Sequence, residues 1–127
     1  MEASYLMAHD EPTEVVRCPV HGFIRYAKNE RAIIDHRVFQ RLRHIRQLGV
    51  GHLVYPGAMH SRFEHSLGVM ELVTRVFDTL KMRHRRTLEK ELRTVPELHD
   101  NTLPRARQIA RLLALLHDVG HPPFSHA

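Results

Sequence analysis

Cysteine occurs once in this chain of 127 residues, at Cys18, tryptophan does not occur, and aromatic residues make up only 6%. A single thiol excludes a disulfide within the chain and suits a reducing compartment, which leads us to expect a cytoplasmic protein. The sparse aromatics supply no stacking platform of the kind that single-strand nucleic-acid readers use. No apolar run approaches the roughly 20 residues that a helix needs to cross a bilayer, so no membrane partner is expected. The first residues mix Glu2, His9, Asp10, Glu11 and Glu14 with short apolar patches. That order is not the one found in secretory signal peptides.

Histidine, by contrast, is abundant. There are 12 in the chain, enough to raise the expectation that some of them act together. The net charge of +5 is unevenly spread. Seven basic residues lie between Arg25 and Arg46 against Glu30 and Asp35, a local excess of five positive charges. Such a segment attracts phosphates, on nucleotides or on nucleic acid, although it is equally compatible with a solvated helix face. The length fits one domain burying roughly two thirds of its unfolded surface.

Residues 1–16 show no steady period and read as an irregular lead-in. Val20 to Tyr26 reads as a short strand or hairpin broken at Gly22. From a cap at Asp35, the positions Val38, Phe39, Leu42, Ile45 and Leu48 predict a helix that ends at Gly49 and Gly51, with Arg37, Arg41, Arg43 and Arg46 on other faces. His52 to Tyr55 reads as a strand-like stub. Ser61 with Glu64 forms a Ser-x-x-Glu capping box, after which Phe63, Leu67, Met70, Val73, Phe77 and Leu80 predict a helix to about residue 82. Leu88 and Leu92 can support a short helix within a charged excursion over 81–103. Pro104 suits the first turn of a last helix, with Arg105, Arg107 and Arg111 outward and Ala106, Ile109, Ala110, Leu113 and Leu116 inward. Because this nearly all-apolar helix comes last, it is expected to need neighbours from a longer chain.

That helix runs into His117-Asp118, an imidazole nitrogen beside a carboxylate oxygen, which together can serve one divalent cation. Taken alone, the pair is as compatible with a helix C-cap and a solvated turn. Its context is more specific. Arg62-Phe63-Glu64-His65-Ser66-Leu67-Gly68-Val69, followed some fifty residues later by His117-Asp118-Val119-Gly120-His121-Pro122-Pro123-Phe124-Ser125-His126, closely resembles the HD-domain metal-dependent phosphohydrolases. Within them it is most similar to the branch containing deoxynucleoside triphosphate triphosphohydrolases. Upstream, Val20-His21-Gly22, Ile34-Asp35, Phe39 to Arg43, Gln47-Leu48-Gly49 and Val54 to Ala58 match as well, so the resemblance covers about residues 16–127.

The resemblance implies an all-α, HD-domain-like helical bundle, here truncated, with minor short strands near the N-terminus. Residues 17–127 would be the N-terminal part of that domain. It implies a metal held by His65, His117 and Asp118, with a fourth ligand, an aspartate, beyond residue 127. Iron, manganese, zinc, nickel and magnesium all suit such donors, and two imidazoles favour a transition ion. Arg62 would clamp substrate phosphate. His121 and His126 would stand near the phosphates, one of them passing a proton to the leaving oxygen or orienting water. Gln47 and Leu48 would meet the sugar and base, although the apolar pattern alone makes Leu48 core. Water would attack the α-phosphorus of a deoxynucleoside triphosphate, releasing deoxynucleoside and triphosphate, with little turnover expected from these 127 residues alone. The alternatives are a phosphodiesterase or another nucleotide phosphohydrolase of the same superfamily, or a non-catalytic module that binds nucleotides or nucleic acid. A homo-oligomer is also implied. Cys18, His36 and Pro122 depart from the family pattern, where aspartate, threonine and glycine are common.

Overall fold

The computed structural model describes residues 14–98 and 102–123. Two antiparallel strands, β1 (Glu14–Cys18) and β2 (Gly22–Tyr26), form a hairpin. The helices are α1 (Lys28–Ile34), α2 (Arg37–Gln40), α3 (Arg62–Leu92) and α4 (Thr102–Leu116), with single 3-10 turns at Arg41–His44, Gly51–Leu53 and Pro96–Leu98. The expected helical bundle with a small N-terminal sheet is therefore what the chain forms. β1 already begins at Glu14, so 14–16 belong to a strand and not to an irregular lead-in. The hairpin reverses at Gly22, whose φ of 76° lies in the left-handed region that glycine occupies at no steric cost.

The stretch read as one helix from Asp35 is broken into pieces. A helix not read from the sequence, α1, ends at Asp35, whose amide donates to the Arg31 carbonyl at 2.8 Å. His36 then takes extended backbone (φ −68°, ψ 136°) and caps α2, its Nδ1 accepting from the Val38 amide at 3.3 Å. Tightening into a 3-10 turn swings Phe39, Leu42 and Ile45 into the core and leaves Val38 and Leu48 exposed. The piece expected as a strand stub is the 3-10 turn Gly51–Leu53, with Leu53, Val54 and Tyr55 exposed.

α3 starts where the capping box places it. The Ser61 hydroxyl accepts from the Glu64 amide and the Glu64 carboxylate accepts from the Ser61 amide at 3.0 Å. The helix runs past the expected end at residue 82, bending at His84, where the backbone leaves helical values (φ −133°, ψ 36°). His84 thus divides α3 into two helical parts, close to the expected end, and the second part carries Leu88 and Leu92 as the sequence suggests. α4 packs antiparallel along α3. One end of the seam holds Phe63, Leu67, Ala114 and Leu115 with Phe39 and Leu42, and the other end holds Phe77, Leu103 and Ala106 with Leu98. The hairpin sits against α3 at Gly68, where an added Cβ would stand 2.9 Å from His21 Nε2.

The inward face of α4 differs from the one expected. Ala106, Arg111, Ala114 and Leu115 are buried, while Ile109, Leu113 and Leu116 are exposed. The apolar run 112–116 carries hydrophobic residues on two faces, and the face that turns inward is the one shared with the buried, hydrogen-bonded Arg111. Replacing Leu115, which is fully enclosed, with alanine should therefore cost about 2–5 kcal/mol of unfolding free energy. Leu113→Ala should stay within about 0.5 kcal/mol of the parent. Urea denaturation of the two variants checks the orientation, and equal costs would refute it.

Candidate metal centre

The antiparallel seam brings the first turn of α3 to the end of α4. His65, on that first turn, meets His117 and Asp118, the two residues that follow α4. The donor atoms of these three side chains lie within 4.8 Å of one another. The two Nε2 atoms face each other at 3.3 Å. Asp118 Oδ1 is 3.4 Å from His117 Nε2, and Oδ2 is 3.8 Å from His65 Nε2. Ligands bound at about 2.1 Å in a tetrahedral or octahedral sphere are separated by about 3.0–3.4 Å along its edges. The donor set and its spacing therefore fit a divalent metal ion.

The protonation pattern supports the same use. His117 Nδ1 lies 2.6 Å from the Ala114 carbonyl, which only accepts, so the ring proton sits on Nδ1 and Nε2 presents its lone pair. Bonding of this kind at the other nitrogen fixes ring orientation in metal-binding histidines. It is also the helix-end contact that the bare His-Asp pair allowed. His65 has its pKa lowered by burial, with the neighbouring His117, Arg62 and His60 adding to the effect and Asp118 opposing it. The shift favours the neutral imidazole, the form that ligates a metal.

Asp118 is held by Arg62. The guanidinium Nη1 donates to Asp118 Oδ2 at 2.8 Å, and the two side chains are 3% and 6% exposed. Burial alone would raise the carboxyl pKa. The Arg62 hydrogen bond and the neighbouring His117, Arg62 and His65 outweigh it, so the value falls below the usual carboxylate range. The phosphate-clamp expectation for Arg62 thus meets a side chain turned inward onto the carboxylate.

His121 comes next to the cluster, its Nε2 3.4 Å from Asp118 Oδ1. The turn that carries it is gripped by Arg41, whose Nη2 donates to the Val119 carbonyl at 2.8 Å and the His121 carbonyl at 3.1 Å. Arg43 lies 3.6 Å over the Phe63 ring, which packs edge-on against Phe39. The sequence shows Arg41 and Arg43 only as part of the basic face and of the matching stretch 39–43; these roles leave no local pattern, because the partners lie 20 to 80 residues away. Gln47 lies beside the start of α3, its amide donating to the His60 carbonyl at 3.1 Å. Its Oε1 is buried with no hydrogen-bond partner among the described residues. Leu48, expected in the core from its pattern, is exposed. His126 lies outside the described residues.

Arg62→Ala would leave a buried carboxylate facing three imidazoles without its cation. The expected loss is on the order of 3 kcal/mol at neutral pH. Because Arg62 depresses the folded-state pKa of Asp118, its stabilisation is present above the unfolded value and is lost as pH falls through the folded one. The gap between parent and variant should hold from pH 7 to about 4 and close only in stronger acid. Chemical denaturation at several pH values measures it, and a gap that already closes near pH 6 would argue against this role.

Residues 62–127 match the family described as HD domain. The chain is 42% identical over 118 residues to the deoxynucleoside triphosphate triphosphohydrolase SAMHD1 of Homo sapiens, covering 93% of this chain and 17% of that protein. It is 36% identical over 126 residues to an HD domain-containing protein, L394, of Acanthamoeba polyphaga mimivirus, covering 97% and 27%. A crystal structure of a hypothetical protein from Aquifex aeolicus superposes with a TM-score of 0.67 at 37% identity, covering 89% of this chain and 25% of that one. The chain thus spans between 17% and 27% of the length of these relatives. With the family's His and His-Asp signature brought together as three converging donors, the chain belongs to the HD-domain family.

Proposed function

We propose that this chain forms the metal-holding part of a metal-dependent phosphohydrolase whose substrate is a deoxynucleoside triphosphate. The observation that carries the reading is the convergence of His65, His117 and Asp118 from two helix ends. The similarity to deoxynucleoside triphosphate triphosphohydrolases supports the substrate class. Among the described residues, no helix is long and apolar enough to cross a membrane.

The two imidazoles favour a transition ion, and His65, His117 and Asp118 would hold it. A bound divalent ion lowers the pKa of water and offsets charge building on a phosphoryl group. The protein's own part begins with Arg62, which keeps Asp118 ionised and aimed at the two imidazoles. His121, 3.4 Å from Asp118, is assigned to give a proton to a leaving oxygen or take one from water, and His126 is assigned the same role. Gln47, with a buried oxygen to satisfy, is assigned to a substrate hydroxyl, and exposed Leu48 to the sugar face. A homo-oligomer and a cytoplasmic setting complete the reading.

Titration of the chain with Co²⁺ or Mn²⁺ should show one site, which His117→Ala and Asp118→Asn each weaken at least tenfold; equal binding by all three proteins would refute the centre. A protein carrying this chain together with the further segments found in its relatives should convert deoxynucleoside triphosphates to deoxynucleoside and inorganic triphosphate. His117→Ala and Asp118→Asn should abolish that conversion. Release of pyrophosphate or monophosphate instead would transfer the assignment to another phosphohydrolase of the superfamily. Full activity in either variant would overturn it.

A further inference from the structure

α4 meets the rest of the protein through Leu103, Ala106, Ala114 and Leu115. Such a face makes α4 adhere, but apolar contact is non-directional and two of its four members are alanines. Direction along the axis must come from polar contacts: at the exposed edge Arg107 forks onto Asp78 of α3 at 2.8 and 2.9 Å, in reach of solvent. In the middle of the apolar face stands Arg111, almost fully buried. Its Nε donates to Glu30 Oε1 at 2.6 Å, and its Nη2 donates to Glu30 Oε2 at 2.8 Å and to the Arg25 carbonyl at 2.9 Å. Nη1 donates to the Thr74 hydroxyl, which passes its own proton to the Met70 carbonyl at 2.7 Å. Glu30 Oε2 also accepts from the Ala27 amide at 2.8 Å. One planar fork therefore ties α4 to β2, α1 and α3 together.

His117 and Asp118 follow Arg111 by six and seven residues, about 10 Å along a helix. A shift of α4 by half an ångström, or a rotation of some 10–20°, is enough to spoil a metal constellation. We propose that Arg111 and Glu30 are positioning residues for the metal centre, setting the height and rotation at which α4 delivers His117 and Asp118 to His65. This rests on the metal-centre reading given above. A purely stabilising role is a weaker account of the pair, because a buried ion pair contributes little that well-packed apolar residues of similar volume would not also contribute. What such residues lack is direction: the bidentate guanidinium and carboxylate meet in one geometry only.

The decisive variant is Glu30→Leu with Arg111→Leu, which replaces the ion pair with apolar volume. It should keep its cooperative urea transition, yet bind Co²⁺ at least tenfold more weakly than the parent. In the metal-free proteins, the His65 and His117 rings, with centroids 5.2 Å apart in the parent, should lose their NOE cross-peaks in the variant. Co²⁺ affinity within twofold of the parent, with the cross-peaks retained, would overturn the proposal. Should the double variant fail to fold, Arg111→Lys takes its place, since it keeps the charge and loses the fork. The same tenfold loss is expected of it, and parental affinity would overturn the proposal. If the parent itself takes up no Co²⁺, the metal reading fails separately. The metal-free cross-peaks then decide: lost in the variant, they support positioning, and retained in both proteins, they refute it.

Discussion

The hydrogen bond from Arg62 to Asp118 is the interaction on which this architecture turns. It joins the first residue of α3 to a residue just past the end of α4, and it does so where water has little access to either partner. A carboxylate in such a place needs a fixed cation, and Arg62 can serve only if the start of α3 is itself fixed. That is accomplished by neighbours on both sides. The Arg62 amide donates to the Ile45 carbonyl at 2.9 Å, Arg46 pairs with Ser61 in a bridge, and the capping box closes the turn. Segment 45–47, the α3 terminus and the α4 terminus are therefore joined at the point where His65 and His117 meet.

The basic segment takes on a different meaning inside this unit. Its concentration of arginines is what attracts attention to phosphates, yet much of it is engaged within the fold. Arg31 pairs with Glu14 and Asp35, and Arg41 holds the turn after α4 by its carbonyls. Arg43 lies on Phe63, and Arg46 donates to the Met59 carbonyl. Backbone carbonyls are good partners for a guanidinium, which offers five donors in a fixed plane. Charge clustering in the sequence here reflects scaffold work around the metal centre as much as it reflects a field for ligands.

What the sequence makes legible follows from how local each cause is. Ser61 and Glu64 announce the start of α3 because a cap is satisfied within four residues, and Phe63, Leu67, Met70 and Phe77 announce its buried face because a long helix averages over its neighbours. The ligand set is legible through the spacing of Arg62 to Val69 and His117 to His126, a pattern carried by resemblance and not by periodicity. α1 escapes notice because Lys28-Asn29-Glu30-Arg31 is polar, and the reason for Glu30 lies 81 residues away in Arg111. The same pair explains the misjudged face of α4. An arginine in an apolar helix reads as outward by default, and only a buried carboxylate from another element reverses that. The bend at His84 lies close to the helix end expected near residue 82, whereas the sequence reads through the break at His36, where the imidazole caps α2, as continuous helix.

The geometry of the centre follows from how its donors are supplied. All three come from the two helix ends at one end of the α3–α4 seam, so among the described residues the donors approach a common point from neighbouring directions. Structural metal sites close themselves with four protein donors, while catalytic sites keep positions open for water or substrate. Within the described residues, His121 stands beside the cluster through Asp118, and the turn carrying it is pinned by Arg41. A side chain that approaches the cluster without closing it, on a backbone held from a third element, is suited to handling protons beside the site and not to sealing it. The arrangement is accordingly that of a metal-binding cluster in which Arg62 favours the charged form of Asp118, burial favours the neutral form of His65, and the proposed register of α4 rests on bonds made two turns away.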